Sequence, residues 1–336
     1  MRIAIHKSSW GFTPYWIAYC QKNNIPFKLV NCYDSDIIQQ LEDCNILLWH
    51  HHHSSAKDVL FAKGLLFSLE QSGKKVFPEF NANWHFDDKL GQKYLLETVH
   101  APLAKSWVFY DKKEALKWVN ETTFPKVFKL RGGAGSSNVK LVKTSKYARK
   151  LIRQAFGRGF PAYDKINDLK EQWLRLKVGR LNTLEAIKSI RRLFVSTKFS
   201  KTVGRQKGYI YFQEFIPNNS YDIRVVTIEK RAFALKRMVR PNDFRASGSG
   251  LIVYEKNEID ERCVKLAFET SKKLKASCVA YDFVFDGLNN PVILEINYGF
   301  TPEAYLKCPG WWDDELNWHE GSFNSAEWIV DYIIHT

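Results

Sequence analysis

Between residues 2 and 49 short apolar runs alternate with amphipathic ones, and this alternation constrains the fold more than any other feature of the 336-residue chain. Residues 2–6, 27–31 and 46–49 are brief and rich in Ile, Leu and Val, which predicts strands. Residues 14–22, opened by a proline, and 35–41 predict the helices between them. Strand, helix, strand, helix, strand at this spacing is a βαβαβ unit, and crossover helices imply parallel strands. Ligands of such sheets bind beyond the C-terminal ends of the strands, which makes residues 7–13 and the four histidines 50–53 candidate binding loops. His50 and His51 are the candidate substrate contacts there. The run is a poor metal site, because adjacent imidazoles on an extended loop point to opposite sides.

A helix over Ala56–Gln71, a short strand at Val76 and a helix over 86–98 continue this first unit, which is expected to end near residue 100. From Phe124 the pattern becomes strand-rich: 126–130, 139–142, 209–215, 222–228 and 231–239. A helix over 260–274 then precedes strands 277–285 and 291–297, joined by a turn at 287–290. The expected class is α/β passing into α+β, with domains at 1–100, 101–210 and 211–336. A composition of 45% hydrophobic and 26% charged residues suits folded globular domains and argues against extended disorder. Six scattered cysteines without a CxxC pair predict buried free thiols. No apolar run is long enough to span a membrane, so a cytoplasmic location is expected.

The charge is not spread evenly. Lys plus Arg number 50 against 36 acids, a net of +14, and residues 145–207 hold 17 of the bases against four acids, a net of +13. Ile166, Leu169, Trp173 and Leu176 recur at helical spacing, as do Leu184, Ile187, Ile190 and Phe194, so this segment reads as a basic helical insertion. Two readings remain open for it: a surface for an acidic partner, or a solvated face.

Lys129 closes a predicted strand and is followed by Arg131-Gly132-Gly133-Ala134-Gly135-Ser136-Ser137, whose backbone N–H groups could meet phosphate oxygens. No GK[ST] follows and no GxGxxG opens a helix, so neither a P-loop nor a dinucleotide fold accounts for it. Glu295 and Asn297 lie two apart on one predicted strand and Asp282 lies on its hairpin partner, so three oxygen donors could share one face. Such donors suit Mg²⁺ held against nucleotide phosphates.

In chain order these features run Asp88-Lys89-Leu90, Lys126 to Lys129 with the Gly-rich loop, Gln213-Glu214-Phe215-Ile216, Asp222-Ile223-Arg224, Lys236-Arg237, Asp243-Phe244-Arg245, Asp282, and Glu295-Ile296-Asn297. The order resembles the ATP-grasp superfamily, in particular its glutathione-synthetase-like and ribosomal-protein-S6-modification-like branches, over residues 75 to 300 with the basic segment interposed. The resemblance implies an ATP-grasp fold behind an N-terminal parallel pre-ATP-grasp domain, with ATP and two Mg²⁺ ions as cofactors. It implies that Lys89 and Lys129 hold the phosphates, that Gly132, Gly133, Gly135 and Ser136 cover them, and that Gln213, Glu214 and Ile216 form the adenine-reading hinge. By the same resemblance Asp222 lies near the ribose, and Asp282, Glu295 and Asn297 are the metal ligands. Arg224 and Arg237 would be the catalytic pair at the transferred phosphoryl group, and Arg245 would lie in the substrate pocket.

The implied reaction is ADP-forming ligation of a carboxylate to an amine or amino acid through an acyl phosphate. The chain departs from the family's pattern where the acceptor would bind: Asn297-Tyr298-Gly299-Phe300 replaces Asn-x-x-Pro-Gly, and the loop after Arg245 is the short 246–250. These departures, and the basic segment with them, border the acceptor and not ATP, so they leave the acceptor's identity open; the charge of the basic segment suggests an acidic one. The aromatic stretch from Trp311 to Trp318 suits either packing or a uronic-acid-containing glycan. A kinase of polyanionic hydroxyl compounds and a non-catalytic polyanion binder are the alternative readings. Nucleic acid is not the expected partner.

Overall fold

The computed structural model describes residues 1–133, 138–161, 204–240 and 243–336. The first sheet contains β1 (Ile3–His6), β2 (Phe27–Val30), β3 (Ile46–Leu48) and β4 (Lys75–Phe77), all parallel, in the order β2-β1-β3-β4. Helices α1 (Thr13–Lys22) and α3 (Ala56–Gln71) make crossovers, the expected second helix shortens to α2 (Ile37–Gln40), and the short α4 (Phe80–Asn83) follows β4. The central strands β1 and β3 are buried on both faces, as a parallel sheet's interior requires, while Leu29 on the edge strand β2 is exposed. Ala4, Leu47 and Trp49 face α3, while Ile3, Ile5 and Leu48 face a core shared with the C-terminal part of the chain.

The second sheet is antiparallel, β5-β10-β6-β7, from Ser106–Phe109, Ile210–Glu214, Lys126–Lys129 and Lys140–Val142. Helices α6 (Lys112–Glu121) and α7 (Ser145–Ala155) cover it, burying Ala115, Val119, Leu151 and Ile152 against Phe128 and Phe212. Helix α7 therefore belongs to this domain's own core, although its sequence falls in the charged segment read as an insertion. Strands β8 (Phe160–Pro161) and β9 (Arg205–Gln206) pair beyond it and bracket the rest of that segment, which lies outside the described residues.

The third sheet is a seven-stranded antiparallel one built on β11 (Tyr221–Ile228), β12 (Arg231–Met238), β14 (Cys278–Phe285) and β15 (Pro291–Asn297), with β13 (Ile252–Val253) pairing β12. Its far edge is the hairpin β16 (Gly310–Asp313) and β17 (Trp318–Glu320), which uses much of the aromatic stretch for packing. Trp312 is buried with its indole N–H on Glu261 (3.1 Å), and Trp311 stacks on His319. Helix α8 (Glu261–Leu274) covers the sheet, and α9 (Ser325–His335) docks against the first domain, where Trp16 donates to the Ala326 carbonyl (3.1 Å). All six cysteines are buried free thiols. Among the described residues no helix is long and apolar enough to cross a membrane.

Candidate active site

One pocket lies between the second and third sheets. Lys129 enters from the end of β6, Lys89 from the first turn of α5 (Lys89–Thr98), and Gln213 to Ile216 form the crossing between β10 and β11. Asp222, Asp282 and Glu295 enter from the third sheet, and Phe244 to Ser247 form a further wall. Val127, Val284 and Leu294 supply an apolar floor, a feature that motif reading had not picked out because apolar strand residues look alike in sequence.

The cationic side is tightly held. Asp88 caps α5 by accepting from the Gly91 N–H (3.0 Å), which places Lys89 so that its ammonium donates to the Gly133 carbonyl (2.9 Å) and stands 3.8 Å from Glu295. Lys129 is buried, and burial pushes its ammonium down to about 8. Gly132 lets the chain approach Asp87, since a Cβ there would lie 2.9 Å from the Asp87 carboxylate. Gly133 takes φ +115°. Gly135 and Ser136 lie outside the described residues.

The acidic side follows from strand register. Glu295 pairs directly with Asp282, and Asn297 pairs with Ala280, so Asp282, Glu295 and Asn297 share one face. Asn297 accepts from the Gly299 N–H (3.0 Å). Across β14 and β11 Asp282 pairs with Arg224, and across β11 and β12 Asp222 pairs with Arg237. The result is a buried quartet. Arg237 grips Asp222 with two bonds of 2.7 Å and reaches Asp282 at 3.0 Å, while Arg224 donates to Asp282 at 2.8 Å and to the Tyr305 hydroxyl at 3.1 Å. Burial opposes ionisation of Asp282, yet the two guanidinium groups outweigh it and hold the carboxyl below its ordinary value. Burial raises Asp222 to about 6 against the pull of Arg237. Asp222, expected beside a ribose, thus has its carboxylate committed to Arg237.

The crossing is also anchored. Gln213 is buried and donates to Ser106, Tyr211 and the Leu294 carbonyl, each at 3.3 Å, tying the second sheet to the third. The Glu214 carboxylate is held by Lys126 at 2.8 and 2.9 Å, the residue opposite it on β6. Asn219 was missed by sequence reading; it accepts from the Phe285 N–H (2.9 Å) and donates to the Phe285 carbonyl (3.0 Å), pinning the segment after Ile216 to the end of β14. Arg245 lines the pocket with its guanidinium on Asp243 (2.6 Å).

The histidine loop stands apart from this pocket. His50 stacks on Phe12 (3.9 Å between rings) and its Nδ1 accepts from the Phe12 N–H (3.1 Å), while His51 Nε2 meets Asn83 Oδ1 (2.6 Å). Both rings are buried and neither lines the pocket, and these contacts are internal to the first domain. Burial lowers them to about 3 and about 4. His53 is the member of the run close enough to feel the charges of Lys89 and Glu295, and burial lowers it to about 4.

Comparison with known proteins agrees with this fold. Residues 195–305 match the family described as the RimK-like ATP-grasp domain, a span that contains Gln213, Asp222, Arg224, Arg237, Asp282 and Asn297. No curated protein matches the chain in sequence. Among solved structures, a RimK domain ATP-grasp protein of Sphaerobacter thermophilus is 13% identical with a TM-score of 0.58, covering 99% of this chain and 100% of that one. D-cycloserine synthetase is 11% identical with a TM-score of 0.61, covering 100% and 99%. The D-alanine–D-alanine ligase of Bacillus anthracis, solved with ATP, is 16% identical with a TM-score of 0.51, covering 91% and 90%. The chain has the ATP-grasp fold that its motif order resembles.

Proposed function

We propose that the chain is an ATP-dependent ligase that joins a carboxylate to an amine with release of ADP. The observation that carries this reading is the pocket in which Lys89 and Lys129 face Asp282 and Glu295 beside the 213–216 crossing. Phosphorylating a carboxylate brings two anions together, so a catalyst needs fixed cations on one side and a cation-binding oxygen set on the other. Asp282, Glu295 and Asn297 are hard oxygen donors on one face and fit Mg²⁺, which when bound would offset phosphate charge and polarise the transferred phosphoryl group.

In this reading Lys89 and Lys129 bind the nucleotide phosphates, and their burial strengthens each charge by excluding water. Arg224 and Arg237 stabilise charge developing on the phosphoryl group as the carboxylate attacks, and Asp222 and Asp282 keep both guanidinium groups in place. The acyl phosphate is then open to an amine, whose attack forms the amide and releases phosphate. Arg245 and the net +13 of residues 145–207 support an acidic acceptor.

The test is to incubate the chain with ATP, Mg²⁺ and a matrix of carboxylic acids and amines, and to follow ADP and product mass. ADP formation that needs both an acid and an amine is expected. ADP formation with hydroxyl compounds alone would overturn ligation in favour of kinase chemistry.

A further inference from the structure

The Gly-rich loop begins at Arg131, and its first residues are held from two sides. On one side stands the start of α5. The Arg131 carbonyl accepts from the Lys89 N–H (2.9 Å), the Arg131 guanidinium donates to Asp88 (2.5 Å), and the Gly133 N–H donates to Asp87 (2.7 Å). On the other side stands the chain just after the basic segment. The Arg131 N–H donates both to Tyr209 Oη (2.7 Å) and to Gln206 Oε1 (3.1 Å), and the Tyr209 hydroxyl donates to Gln206 in turn. Burial pushes the Tyr209 hydroxyl up to about 12, so it remains a donor at neutral pH.

Gln206 sits on a rooted support. It pairs with Phe160 in the β8–β9 stem, and Phe160 packs on Phe128 of β6 with ring centres 4.9 Å apart. Gly159 takes φ +70°, and a Cβ there would stand 2.6 Å from the Gln206 carbonyl, so the stem fits only with glycine at its turn. Arg205 donates to the carbonyls of Arg158 (2.6 Å) and Gly159 (2.8 Å), and Gln154 of α7 donates to Gly159 (3.1 Å). The stem therefore cannot slide without disturbing α7 and β6.

We infer that Gln206 and Tyr209 are positioning residues for nucleotide binding: from the exit of the basic segment they fix the backbone of Arg131–Gly133, and so set Gly133 and the Lys89 ammonium against the phosphates. The inference rests on the nucleotide reading of the pocket. The position of the basic segment thereby has a consequence, since whatever moves β9 moves the first residues of the phosphate loop through the hydrogen bonds of Gln206 and Tyr209 to the Arg131 N–H.

The experiment is titration calorimetry of Mg-ATP into the full chain, for wild type, Tyr209→Phe, Gln206→Ala, the double variant and Gln206→Glu, with trypsin cleavage after Arg131 followed by mass spectrometry on nucleotide-free protein. The double variant should bind Mg-ATP about tenfold more weakly, a difference of about 1.4 kcal/mol, with an unchanged melting temperature. Its cleavage after Arg131 should rise severalfold. Gln206→Glu retains the acceptor oxygen and should stay within about twofold of wild type in both measurements. Wild-type affinity in the double variant, or equal loss in Gln206→Glu, would overturn the inference. If wild type itself fails to bind Mg-ATP, the nucleotide reading falls; equal cleavage after Arg131 in wild type and double variant would then reject the positioning role separately.

Discussion

Acidification should destabilise this protein far above the range where carboxylates titrate, because its first domain folds around histidines that must stay neutral. His50, His51 and His85 are 7%, 2% and 0% exposed, and burial lowers them from 6.5 to about 3, about 4 and about 4. Neither ring nitrogen of His85 has a hydrogen-bond partner of normal geometry. The folded pKa is the depressed one, so between about pH 6.5 and pH 4 the unfolded chain binds more protons and stability falls as pH falls. Each such histidine removes about 1.4 kcal/mol between pH 7.5 and 5.5, and three remove about 4 kcal/mol of a total that is usually 5–15 kcal/mol. Urea unfolding followed by tryptophan fluorescence at pH 7.5, 6.5 and 5.5 measures the loss. His85→Phe removes an unsatisfied buried group, so it should stabilise the protein by about 1–3 kcal/mol at pH 7.5 and reduce the acid loss by about 1.4 kcal/mol. A stability that is flat from pH 7.5 to 5.5, or an acid loss unchanged in His85→Phe, would refute the reasoning.

Lys129→Ala should abolish most of the thermal stabilisation given by Mg-ATP, measured as a melting shift at fixed nucleotide. Because burial sets Lys129 to about 8, Mg-ATP affinity should fall above that pH as the ammonium deprotonates, by up to about tenfold per pH unit, and Lys129→Arg should flatten the profile in calorimetry at pH 7 to 9.5. Arg237→Lys should lower turnover by roughly a hundredfold with Mg-ATP binding retained, since a cation aimed at developing charge acts in the transition state. Arg237→Ala should in addition cost about 3–5 kcal/mol in urea unfolding, because it leaves Asp222 and Asp282 short of a partner in a buried site. Replacing residues 162–203 by a short Gly-Ser linker between β8 and β9 should raise the KM for an acidic acceptor and weaken its salt dependence, while Mg-ATP affinity stays within about twofold; an unchanged acceptor KM would assign that charge to solvation.

The fold was legible where periodicity and punctuation agree. The first three strands alternate with helices in residues 2–49, and all three occur within a residue or two of expectation. What escaped was local. Residues 99–123 contain β5 and α6, and the signal was present: Asp111 caps α6 through the Lys113 and Glu114 N–H groups, with Ala115 and Val119 at i and i+4 facing the core. Helix α7 escaped as a core element for a different reason. Its Lys and Arg residues dominate its composition, while Ala148, Leu151, Ile152 and Ala155 make a narrow buried stripe that net charge hides.

The site shows the same division between spacing and register. Asp282, Glu295 and Asn297 could be grouped from sequence because a hairpin with a short turn leaves little freedom and residues two apart share a face. The partner of Asp222 could not. It depends on β11 meeting β12 through a two-residue turn at Glu229 and Lys230, which places Ile228 opposite Arg231 and hence Asp222 opposite Arg237. Such a turn is signalled by Gly or Asn, but here Glu229 itself takes the positive φ of 51°, so the sequence carries no mark of it. Shifting that register by one residue would turn Arg237 to the opposite face, leaving Asp222 and Asp282 buried without it. The turn at the far end of β11 therefore helps decide whether Arg237 meets the two aspartates at all, and a motif match that sees Arg224 and Arg237 as separate letters cannot record that they form one electrostatic unit with Asp222 and Asp282.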